Sequence, residues 1–156
     1  MLATEATVNS HAYAEACAGV GLYAIEKACP LFVPLVEEGW VDGSITEQVA
    51  AIYLRDALAQ TKSPASAIVL GCTHYPLLRG LLQRVILELA GNLPIVDAAQ
   101  ATARHAATLL PEAARYSDDR PALRFYATDG AAKFQRLGPQ FLGQSIDVVE
   151  QIDRDD

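Results

Sequence analysis

The stretch "AIVLGCTHYPLL" (67–78) sets a thiol, a hydroxyl and an imidazole on three successive residues, Cys72, Thr73 and His74. The apolar run before Gly71 suits a strand, and the leucine spacing after Pro76 suits a helix. In an open parallel sheet, ligands bind at the carboxyl ends of strands. Just ahead of a helix, free N–H groups carry partial positive charge. That field favours a thiolate at Cys72 over a thiol. The same N–H groups, with the Thr73 hydroxyl, can hold a carboxylate. His74 adds a titrating group able to move a proton or bind a substrate. Gly71 lets a ligand come close to the backbone. The position serves a small buried hydrophobe equally well. A metal site is disfavoured by the lack of CxxC or paired-histidine spacing. A P-loop is excluded, since its glycine spacing and lysine are missing.

The other reactive side chains read more plainly. Cys17 lies in "YAEACAGVG" and suits a packed helix position. Cys29 ends a strand before Pro30, where core packing outweighs a site role. Glu37 and Glu38 follow "PLFVPLV" on the same side of the sheet as Cys72. Paired carboxylates usually mark a solvated turn, although one of them could reach His74. His11 and His105 fall in helical patterns as structural or surface residues, and Trp40 reads as a packing residue.

These residues need elements to position them. A strand tail at 2–4 is followed by a helix over 7–20, a strand at 23–29 and a short helix or turn-rich loop at 30–39. Ser44 and Glu47 form an S-x-x-E capping box opening a helix to about 60, with Val49, Ile52 and Tyr53 on one face. A strand at 66–72 precedes the clearest helix, 76–90, which carries Leu78, Leu81, Leu82, Val85 and Leu89 at helical spacing. Next come a strand at 94–98, an Asp97 cap and a helix at 98–110. A strand at 123–129, a helix around 131–141 and a strand at 145–152 finish the chain. Residues 114–122 resemble a linker. Strands alternating with helices imply an α/β fold with a mainly parallel sheet.

Length and composition agree with a packed domain: 156 residues, 51% hydrophobic and 20% charged. A net charge of −7 argues against nucleic acid or an anionic membrane as partner. A small anionic substrate remains open, because a pocket sets its own field. No secretory signal or membrane-length apolar run is present, and three cysteines lack disulfide spacing. These features imply a cytoplasmic protein with reduced thiols.

Beyond spacing, "LGCTHYPLL" resembles the C-terminal signature of bacterial glutamate racemases. "CPLFVPLVEEG" (29–39) resembles the segment upstream of it, "LATEATVNSHAY" (2–13) the first strand and helix of their second domain, and "PIVDAAQATA" (94–103) the return to their first domain. Related aspartate racemases carry Glu after Cys-Thr, so His74 favours glutamate. The resemblance implies a three-layer α/β domain with a parallel sheet and no cofactor. It also implies interconversion of L- and D-glutamate by two cysteines, one on each face of the α-carbon, supplying D-glutamate for peptidoglycan. It makes Cys72 one of that pair. Thr73 and His74 become substrate-binding residues. His74 assists Cys72, and Glu37 orients or titrates with His74. No metal is implied.

The family pattern also has Asp-Ser, Tyr-Gly and Cys-Asn-Thr segments upstream, and none occurs here. The expectation is an N-terminally truncated racemase. Residues 1–97 then form the second domain, and 98–156 the returning part of the first. Such a chain is expected to be inactive alone, and its uncovered strand edges favour a homo-oligomer. Two other classes stand beside this reading: a one-cysteine, decarboxylase-like relative, and a non-catalytic remnant that binds a carboxylate ligand or a partner chain.

Overall fold

The computed structural model describes residues 1–110 and 123–152, so the linker expected at 114–122 lies outside the described residues. The chain divides into two compact units, Met1–Leu109 and Leu110–Asp156. In the first, β1 (Leu2–Ala3), β2 (Lys27–Ala28), β3 (Ile68–Leu70) and β4 (Ile95–Asp97) form a parallel sheet in the order β2-β1-β3-β4. The chain runs outward from β1 to β2, then crosses back to β3. The carboxyl ends of β1 and β3 therefore flank the point where winding reverses, the usual ligand position in such sheets.

Hydrophobic burial on one side of this sheet assembles the core. Leu2, Ile68, Leu70 and Ile95 meet Phe32 and Val36 of α3 (Phe32–Glu37), Leu54 of α4 (Ser44–Ala59) and the apolar stripe of α5 (Arg79–Ala90). In α5 that stripe is Leu81, Leu82, Val85 and Ile86, all buried. In α4 the buried stripe is Thr46, Ala50, Leu54 and Ala57. Val49 and Tyr53 pack partly against the core, but Ile52 points outward with 58% of its surface exposed. Two residues beyond Ala50 is roughly 200° around the helix, on the opposite side.

Several expected elements differ in form. The helix expected over 7–20 is two pieces, α1 (Glu5–Asn9) and α2 (Ala12–Ala18). The Ser10 hydroxyl donates back to the Thr7 carbonyl, and His11 takes a left-handed backbone at φ 54°. Such local bonding competes with a continuous helix. The strand expected at 23–29 pairs only over Lys27–Ala28, because its sheet neighbour β1 is two residues long. The capping box does not form. Gly43, at φ 99°, occupies the cap position without a side-chain bond, and Glu47 instead accepts from Arg84 of α5. Trp40 is 52% exposed rather than packed. Its carbonyl accepts from the buried Thr46 hydroxyl. Asp97 does cap α6 (Ala98–Leu109), with Oδ1 accepting from Ala99 N and Gln100 N.

In the second unit, β5 (Phe125–Ala127), α7 (Ala131–Leu142) and β6 (Val149–Gln151) form a β-α-β segment with a two-stranded parallel sheet. Among its described residues, Leu137 and Ile146 are buried. Phe125 and Phe134 meet with ring centroids 6.0 Å apart.

Candidate active site

Cys72, Thr73 and His74 leave the sheet at the carboxyl end of β3, next to the point where winding reverses. Cys72 is half-buried and packs against the core, Thr73 is exposed, and His74 is half-buried. The chain does not enter an α-helix directly after them. A 3₁₀ turn over Tyr75–Leu78 intervenes, and the N–H of Tyr75 donates back to the Cys72 carbonyl at 3.2 Å. That donor is therefore already engaged, and the helix-end field expected at Cys72 comes from a shorter, tighter turn.

Gly71 also differs from expectation. A Cβ built on it would lie 3.0 Å from Met1 Sδ, 3.2 Å from Tyr13 Cε2 and 3.3 Å from Ala3 Cβ. The chain's own β1 and α2 fill the space that a ligand was expected to use. Close packing favours glycine there, and its N–H donates to the Leu2 carbonyl at 2.8 Å.

Glu37, at the end of α3, reaches the site from another element. Its Oε1 lies 3.5 Å from His74 Nε2, with side-chain exposures of 24% and 25%. Glu38, its neighbour, is exposed. On the other ring nitrogen, His74 Nδ1 lies 3.3 Å from the Thr73 hydroxyl. A carboxylate on one side and a hydroxyl on the other fix the orientation of the ring. The imidazole and carboxylate thus meet where β3 and α3 end, two residues along the chain from Cys72, and groups of these types can take part in proton transfer at a carbon acid.

The remaining candidates lie elsewhere. Cys29 is fully buried at the end of β2, and burial pushes its thiol up to about 12, so it is held protonated. Cys17 is half-buried on α2. His11 pairs with the largely buried Glu26 at 2.9 Å, and His105 is exposed on α6. Among the described residues, no three His, Cys, Asp or Glu side chains gather as metal ligands. Nor is any described helix long and apolar enough to cross a membrane.

Two features escaped the sequence reading. Thr4 and Thr7 share a hydroxyl contact of 3.0 Å just past β1, at the sheet edge from which Cys72 also departs. Their T-x-x-T spacing after a strand was the available signal. The second is Tyr75, whose buried hydroxyl donates to the Cys29 carbonyl at 2.9 Å. An aromatic beside a motif reads as ordinary core.

Residues 1–106 match the profile of the Asp/Glu/Hydantoin racemase family. The glutamate racemases of Koribacter versatilis and Syntrophus aciditrophicus are each 42% identical to the chain; the matches cover 98% and 97% of it, and 60% and 56% of those proteins. A glutamate racemase from Francisella tularensis, solved in complex with D-glutamate, superposes with a TM-score of 0.81 at 31% identity, covering 97% of this chain and 56% of that one. The Thermus thermophilus enzyme, in complex with β-chloro-D-alanine, gives 0.75 at 33% identity, covering 98% and 55%. The chain spans somewhat more than half the length of these relatives. With a parallel α/β sheet and a profile match across most of its length, the chain belongs to the Asp/Glu/hydantoin racemase family.

Proposed function

We propose that this chain carries one half of a cofactor-independent glutamate racemase site, acting on one face of the substrate's α-carbon. The observation that carries this reading is the contact between Glu37 and His74, brought together from two elements beside Cys72. In the proposed mechanism, Cys72 exchanges a proton with the α-carbon. His74 stabilises the thiolate and, with Thr73, binds a substrate carboxylate. Glu37 holds His74 in orientation.

Inversion needs a second acid on the opposite face. Cys29 is a poor candidate, being buried and held as a thiol. We therefore assign the second acid to a domain of the kind found in the family's two-domain enzymes. Residues 98–156 belong with that domain in this reading, and 1–97 form the Cys72 half. The chain alone does not invert glutamate at a meaningful rate, because paired catalytic groups are strongly non-additive. In the cell the complete enzyme works in the cytoplasm as a homo-oligomer and supplies D-glutamate for peptidoglycan.

The test is competition at Cys72. Excess glutamate should slow its alkylation, whereas lysine at the same ionic strength should not. Equal rates in both would contradict the substrate assignment. Chiral chromatography after incubation with either enantiomer should show no interconversion. Interconversion by the purified chain would mean that another of its residues supplies the second acid.

A further inference from the structure

The Cys29 backbone carbonyl is a junction between the two elements that build the site. It accepts from Phe32 N at 3.1 Å, which opens α3, and from the Tyr75 hydroxyl at 2.9 Å. Tyr75 in turn donates its own N–H to the Cys72 carbonyl. Its ring meets Phe32 edge-to-face, with centroids 5.1 Å apart at 88°. Phe32 is itself braced by Tyr53 at 5.2 Å, also edge-to-face. Both Phe32 and Tyr75 are fully buried. The contacts close a circuit: Glu37, along α3 to Phe32, across to Tyr75, back to His74, and across the ion pair to Glu37.

We propose that Tyr75 is a positioning residue, a buried pin that fixes α3 against the Cys72–His74 turn and so sets the Glu37–His74 pair relative to Cys72. The Tyr75 hydroxyl bond ties the turn to the junction between β2 and α3. Removing the Tyr75 hydroxyl leaves the Cys29 carbonyl still satisfied by Phe32 N, so Tyr75→Phe strands no buried acceptor. The ring and its packing remain. What is lost is the directional link between the two elements, while the bulk of the core is kept.

The proposal rests on the reading of Cys72, His74 and Glu37 as one site, and the experiment separates the two. The pH–rate profile of Cys72 alkylation by iodoacetamide is measured by peptide mapping on the full chain, with Cys17 as internal reference. The proteins are the parent chain, Glu37→Gln, Tyr75→Phe and the double variant. Glu37→Gln removes the carboxylate that holds His74, so Cys72 should react more slowly near neutral pH and its pH–rate profile should change. Tyr75→Phe should do the same by about threefold or more, the size of coupling expected for groups in one network. The double variant should be no slower than the slower single variant. The Cys17 rate and the circular dichroism spectrum should stay unchanged.

A shifted profile in Glu37→Gln with a parent-like profile in Tyr75→Phe would overturn the positioning role and leave the site reading standing. Parent-like profiles in both single variants would overturn the site reading and the positioning role together. Effects that multiply in the double variant would also overturn it, since Tyr75 would then act independently of the pair. Should Tyr75→Phe not fold, Phe32→Leu carries the test. It removes the ring edge through which α3 meets Tyr75, the other link of the circuit, so slower Cys72 alkylation is expected and a parent-like profile overturns the proposal.

Discussion

Three free thiols occupy three different environments, and the chemistry of each follows from where its strand or helix leaves it. Cys72 stands half-buried at the open edge of the sheet, whereas Cys29 is sealed in the core and pushed up to about 12 by burial. Cys72 should therefore alkylate fastest of the three near neutral pH, and Cys29 slowest. Faster labelling of Cys17 than Cys72 in a peptide map would contradict the site assignment. Cys29 also has a consequence for stability. Its folded pKa lies above its ordinary value of 9.0, so the folded state holds that proton more tightly. The resulting stabilisation is complete below pH 9 and is lost as pH rises toward 12. Burial raises Tyr75 in the same direction. Cys29→Ala should thus flatten, without abolishing, the alkaline fall in melting temperature. An unchanged slope would mean that Cys29 is not desolvated as described. At this scale the sequence made Cys72, Thr73 and His74 visible by type and place. Between Glu37 and Glu38 it offered no choice, because adjacent carboxylates look alike until a helix turns one inward. The resemblance singled out Glu37.

Elements were legible in proportion to their length. Helix α5 was plain because its apolar spacing reports a buried stripe, whereas α4 was placed by a capping box that does not form and a face that includes the exposed Ile52. Strand lengths were not, since pairing partners set them: β2 pairs only as far as β1 allows. The break at Ser10 and His11 was also hidden, because a hydroxyl bonding its own backbone leaves no periodic trace. Two substitutions separate packing that supports the fold from packing that shapes the site. Leu82→Ala empties a fully buried position on α5 and should cost ~2–5 kcal/mol, read by denaturant titration. Gly71→Ala crowds Met1, Tyr13 and Ala3 at the head of the Cys72 turn, and overpacking of this kind costs ~1–3 kcal/mol. Gly71→Ala should also change Cys72 alkylation, whereas Leu82→Ala, measured where it is still folded, should not. The reverse ordering would mean that the turn is insulated from β1 and α2.

For the whole chain, the central claim is that Cys72 works the α-carbon from one face only. The proposal rests on the open ends of β1 and β3, the buried Cys29 and the Glu37–His74 contact. The family's fold was legible early because the motif segments run in order along most of the sequence. The compact boundary falls after α6, while the division expected at 97 marks where the relatives' chain returns to their first domain. The most direct measurement is deuterium incorporation at the α-carbon of glutamate in heavy water, run with each enantiomer separately and followed by mass spectrometry and chiral chromatography. The account predicts exchange of one enantiomer without inversion, lost in Cys72→Ser. Equal exchange of both enantiomers, or exchange at the parent rate in Cys72→Ser, would contradict it.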